Sequence, residues 1–166
     1  MFLTGSKTCA LPILGKHEVT KGQYGAFVSD TGHGNEEGCY IWVESKWKKD
    51  ALGGWNNSGY EQTDEHPVVC VNWNDAQAYV SWLSEKTSET YRLLNEAEWE
   101  YSARAGTNTP FSFGQDITAS QANFDGNFPY TGEADGIFRE KTAAIGSFPS
   151  NAFGLPHFHR NVTRPE

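Results

Sequence analysis

The chain has 166 residues, 37% of them hydrophobic, and a formal net charge of −8. That length suits one domain with a real core, and no apolar run reaches the ~20 residues that cross a bilayer. The negative charge disfavours nucleic acid, whose phosphates it repels at long range, while six tryptophans and ten phenylalanines argue against disorder by offering large areas for burial.

In chain order, residues 1–13 (MFLTGSKTCALPI) show no hydrophobic period, and TCALPI reads like the translated end of a sequencing-library adapter. They are expected to be non-native or disordered and to add nothing to the fold, leaving 14–166 as the domain. A native signal or lipoprotein segment would then be missing. The N-terminus lacks the basic-then-apolar pattern of a secretion signal, and the compartment stays open. Thr20 with Gln23 three places on makes a capping box. Tyr24, Phe27 and Val28 then share one helical face, and Gly32 suits a left-handed helix end. Residues 34–65, rich in Gly, Asn, Trp and Lys, read as a long aromatic-studded loop. Within it, Lys46, Lys48 and Lys49 around Trp47 read as a solvated face rather than a phosphate-binding patch.

PVVCV (67–71) has the β-branched content of a short buried strand. Asn74 and Gln77 predict a second capping box, opening a helix whose Ala76, Tyr79, Val80 and Leu83 give the i, i+3, i+4, i+7 stripe. YRLL (91–94) returns as a strand. Asn95 and Glu98 predict a third box and a helix ending near Gly106. Glu96 and Glu98 fall in its first turn, where carboxylates offset the helix dipole, and Glu100 stands four residues before Arg104, the favourable order for an ion pair. These carboxylates therefore read as helix-stabilising rather than catalytic. From 107 to 155 no helical period survives, and so long a loop is usually functional.

The three cysteines, Cys9, Cys39 and Cys70, form no C-x-x-C and no metal spacing. An odd count gives no disulfide framework, and a Cys39–Cys70 bridge remains open. His157 and His159 are spaced so that a strand would aim two nitrogens at one metal, but no third ligand accompanies them, and they are read as unrelated to metal.

Five stretches, in order, resemble the formylglycine-generating-enzyme (sulfatase-modifying factor) family. They are HEVTKGQYGAFV, GYEQTDEHPVVCVNWNDAQAYVSWLSEKT, YRLLNEAEWEYSARAGT, ANFDGNFPY and SFPSNAFGL, within residues 16–155. The resemblance implies an α+β, variant C-type-lectin-like fold with few helices, short strands and much ordered loop. It also implies oxidation of a sulfatase cysteine to Cα-formylglycine with oxygen and copper, and so a sulfatase or other protein or peptide substrate as partner. Related members include sulfur-transfer enzymes, pyoverdine-maturation proteins and binding modules, so membership does not fix the chemistry. After FGL the family continues with a glycine-containing, aromatic-acidic run. Here Arg160 replaces that glycine, and the run is absent. The family's catalytic cysteine pair has no counterpart, since Cys39 and Cys70 fall in other segments. The expectation is a domain incomplete at its C-terminus, without activity by itself.

The family also holds calcium in its loop region. The resemblance carries one site onto Asn123 and Asp135 through their side chains, and onto Phe124 and Ile137 through their carbonyls. A hard cation takes six to eight oxygens, which irregular loops supply. Taken alone, Asn123 and Asp135 read as turn residues bonding their own backbone. A second calcium site keeps only Asn161 and Val162, without its acidic ligand, and is not expected to bind. Two functions compete: an oxidase part, and a non-catalytic binding module on a lectin-like scaffold. Sequence beyond Val162 bearing a cysteine pair would favour the first.

Overall fold

The structure, a computed structural model, describes residues 3–5, 13–34, 38–43, 46–132, 136–156 and 158–159. Three helices lie among them: α1 (Lys21–Thr31), α2 (Trp73–Thr87) and α3 (Glu96–Arg104). The strands are short: β1 (Leu3–Gly5), β2 (Ile13–Leu14), β3 (Cys39–Val43), β4 (Lys46–Asp50) and β5 (Tyr91–Leu93). This is the expected α+β pattern, with irregular backbone carrying most of the second half.

Each helix begins where its sequence supplies a cap. At α1 the Thr20 hydroxyl accepts from the Gln23 N–H while Gln23 Oε1 accepts from the Thr20 N–H, so two otherwise unpaired amides are satisfied together. Gly32 (φ 72°) ends the helix with its N–H on the Val28 carbonyl. The box of α2 differs from expectation. It is formed by Asn72 and Asp75, not by Asn74 and Gln77. An aspartate at the third helical position serves as well as a glutamine, and starting there leaves Trp73, Asn74 and Gln77 inside the helix. At α3 the Asn95–Glu98 box forms as expected.

The core gathers Val19, Tyr24, Phe27, Val68, Tyr79 and Val80, with Trp55, Trp82, Leu83, Tyr91 and Leu93 packed against it. Tyr24 and Phe27 of α1 meet Tyr79 of α2 at ring-centroid distances of 5.9 and 5.6 Å. Each helix thus buries the stripe its sequence shows. His33, just past α1, ties the pair further, its Nε2 standing 2.8 Å from Asp75 Oδ1. Asp75 holds the α2 cap with its other oxygen.

Three elements depart from the sequence reading. Leu3–Gly5 lies between β2 and β5 in an antiparallel sheet, with Thr4 opposite both Leu14 and Arg92. Of residues 1–13, expected to add nothing to the fold, Leu3–Gly5 and Ile13 are described and the rest lie outside the described residues. A three-residue strand is too short to show a period, and its partner lies far along the chain. Within the supposed loop 34–65, β3 and β4 form a hairpin with Tyr40 opposite Lys49 and Ile41 opposite Lys48. Residues 67–71 are buried at Pro67, Val68 and Val69 but form no strand. They make one bridge, Thr20 with Pro67, and Val68 donates to the Val19 carbonyl. Cys70 (φ 58°) then turns left-handed and stops any ladder.

Candidate metal loop

After α3 the backbone turns through a series of locally bonded loops. Thr118 starts one of them. Its carbonyl accepts from the Gln121 and Ala122 N–H groups, and its own N–H donates to Gln121 Oε1. That turn drives Ala119, Ala122 and Asn123 inward, with Asn123 only 2% exposed. A buried amide needs partners, and Asn123 Nδ2 donates to the Lys141 carbonyl at 2.8 Å. Nearby, the Gly126 N–H donates to the Ile137 carbonyl at 2.9 Å. These two bonds clasp segment 123–126 against segment 137–141.

Three of the six candidate ligands are therefore placed: Asn123 buried, Phe124 half-buried, and Ile137 exposed with its carbonyl on Gly126. Asp135, Asn161 and Val162 lie outside the described residues. The clasp brings the Asn123 and Ile137 sides together, as a shared ion would require. With Nδ2 on Lys141, the Asn123 amide oxygen faces away from that carbonyl. A backbone carbonyl has two lone pairs, so the bond from Gly126 does not by itself bar Ile137 from a cation. The donor set is all oxygen, which fits a hard cation and not copper. No cluster of three His, Cys, Asp or Glu side chains occurs among the described residues. Asp135 is the acidic member of the expected ligand set. Two described acids of this stretch, Asp125 and Asp116, are engaged. Asp125 Oδ1 accepts from the backbone and side-chain nitrogens of Asn127. Asp116 accepts from Thr131 and from the Ile117 N–H, bonds that hold its carboxyl below the usual range.

The cysteine and histidine candidates resolve differently. Cys39 and Cys70 are joined in a disulfide, Cα atoms 5.5 Å apart, so neither is a thiolate. His159 Nε2 accepts from the Ser112 N–H at 3.0 Å and lies 2.7 Å from its hydroxyl, with the rings of Phe111 and Phe113 beside it. Burial holds its pKa below the ordinary value, against an opposing pull from Glu100. His157 lies outside the described residues. On α3, Glu98 accepts two bonds of 2.6 Å from Arg92, and with the Asn95 cap these hold it at about 2. Glu100 pairs with Arg104. A carboxylate so low is no proton donor near neutrality, and the helix-stabilising reading of this stretch stands.

Sequence reasoning missed a polar cluster around the buried Thr142. Gln62 Nε2 donates to Thr142 Oγ1 at 2.9 Å, and His66 Nδ1 lies 2.8 Å from the same oxygen. It also missed a groove of about 440 Å3 bounded by Lys16, His17, Gln23, Tyr79, Trp82 and Leu83. Both join residues far apart in sequence, and no local motif marks either.

Residues 11–164 match the profile of the sulfatase-modifying factor enzyme 1-like domain. The chain is 40% identical over 96 residues to a formylglycine-generating enzyme of Bos taurus, covering 55% of this chain and 24% of that protein. It is 33% identical over 118 residues to an inactive C-alpha-formylglycine-generating enzyme 2 of the same organism, covering 70% and 36%. Its fold is similar to the structure of PvdO from Pseudomonas aeruginosa, with a TM-score of 0.69 and 31% identity over 95% of this chain and 63% of that one. The chain thus spans under two thirds of each of these relatives.

Proposed function

Because the chain belongs to the sulfatase-modifying factor enzyme 1-like family, we propose that it is the scaffold part of a formylglycine-generating-type protein, braced by calcium, and that it does not itself oxidise cysteine. The family's description names a sulfatase as what is modified, and the substrate class we carry over is a cysteine-bearing sulfatase segment. The observation that carries the second clause is the Cys39–Cys70 disulfide. Copper supplies oxygen activation in this chemistry and needs thiolates converging on it. The two described cysteines offer none, and so do not fit the metal. An anaerobic, thiol-free titration of copper(I) from a coloured chelator checks this. The chain should leave the copper on the chelator; stoichiometric transfer to the protein would overturn the reading.

A second reading, a non-catalytic binding module, is favoured by the likeness to the inactive enzyme 2 and by aromatics held outward. Tyr101 is 57% exposed and Phe153 46%, and their rings stand 5.4 Å apart. On that reading the loops display a protein- or sugar-binding face and the fold supports no chemistry anywhere.

A further inference from the structure

We infer that the Cys39–Cys70 disulfide is a redox latch on the β3–β4 hairpin, opened by a dithiol while the helical core stays folded. The two cysteines are held very differently. Cys70 sits in a segment anchored without the bond: Pro67, Val68 and Val69 are buried, Val68 donates to the Val19 carbonyl, and Asn72 two residues on caps α2. Cys39 opens β3, whose ladder runs to β4 in a two-stranded sheet of its own. A lone two-stranded hairpin is marginal in water. Of the hairpin side chains that are described, Ile41 is buried while Tyr40, Lys46, Lys48 and Lys49 are exposed. The disulfide is therefore the covalent hold of a two-stranded hairpin on a segment anchored in the core.

The site is also set under constraint. Cys70 is held at φ 58°, a left-handed conformation that L-residues with a Cβ avoid. On the other side, a Cβ at Gly53 would come within 3.1 Å of the Cys39 sulfur, so the turn after β4 closes over the bond. Releasing the bond unties the Cys39 end of the hairpin from the anchored Cys70 segment. The exchange balances simply. One thiolate of the dithiol attacks one sulfur of the bridge, forming a mixed disulfide and releasing the other protein sulfur; its second thiol then attacks the mixed disulfide, closing the dithiol's own disulfide and releasing the first protein sulfur. The dithiol gives up two electrons and becomes a disulfide. Cys39 and Cys70 take up two protons as thiols.

The test uses the full chain, oxidised and then treated with dithiothreitol. Maleimide labelling of the denatured protein should count one thiol, Cys9, before reduction and three after it. Limited trypsin digestion read by mass spectrometry should then show cleavage at Lys46, Lys48 and Lys49 rising about tenfold or more, as expected when a segment opens locally. Hydrogen exchange in α1 and α2 should stay protected, and reoxidation should restore resistance. A Cys39→Ser variant should digest like the reduced chain without reductant. Three thiols before reduction, unchanged lysine cleavage after it, or loss of protection in α1 and α2 together with the hairpin would each overturn the proposal.

Discussion

His159 shows how one side chain sets a pH dependence. Its Nε2 accepts from Ser112, so the folded protein needs the neutral ring, and burial depresses its pKa. His66 and His17 are also depressed, in each case first by burial. Above pH ~6.5 these rings are neutral in both states and contribute no slope. As pH falls through that value the unfolded chain binds protons that the folded chain refuses, so stability falls until the lower folded values are passed. Urea midpoints should therefore drop from about pH 7 to about pH 5, above the window in which Glu98 and Asp116 titrate. His159→Gln, which keeps an acceptor for the Ser112 amide but cannot titrate, should flatten that slope. An unchanged slope would mean that His159 does not carry it. Asp135 is the residue on which the calcium reading turns. The ion should stabilise the protein by about 2.7 kcal/mol at a hundred times its dissociation constant, seen as a rise in thermal midpoint. Asp135→Ala should lose most of that rise, and equal responses from the two proteins would contradict the site.

Among the elements, the helix starts separate what a sequence can show from what it cannot. Asn72→Ala removes the oxygen that accepts from the Asp75 N–H and should cost ~0.5–2 kcal/mol in denaturant unfolding. Asn74→Ala, at an exposed first-turn position, should change stability by no more than about 0.5 kcal/mol. The reverse order would restore the capping box read from the sequence. Both placements satisfy the same local rule, and only packing decides between them: beginning at Asn72 lets Asp75 also meet His33. The stripes of α1 and α2 were legible because each helix buries a periodic face against one partner. The β3–β4 hairpin was not, since four of its ten residues are lysine or aspartate and interrupt any apolar alternation. The strand expected at residues 67–71 failed for another reason: burial there is real, but Cys70 turns the backbone away.

At the scale of the whole molecule, family and fold were legible because five stretches keep their order across the chain, and the site was legible only in part. Asn123 and Ile137 are brought to one clasp by bonds to Lys141 and Gly126 that no local motif announces. The tryptophans and phenylalanines argue against disorder, and Phe27, Phe148 and Phe158 are buried. Phe128 and Tyr130, on a loop, and Tyr101, on α3, are more than half exposed instead. We propose that this chain carries the family's fold without its cysteine chemistry. Incubating the protein with copper, oxygen and a cysteine-containing sulfatase peptide, followed by mass spectrometry of the peptide, tests it most directly. The peptide should keep its thiol at the rate seen without protein; protein-dependent conversion of that thiol to an aldehyde would show that the chain oxidises cysteine itself.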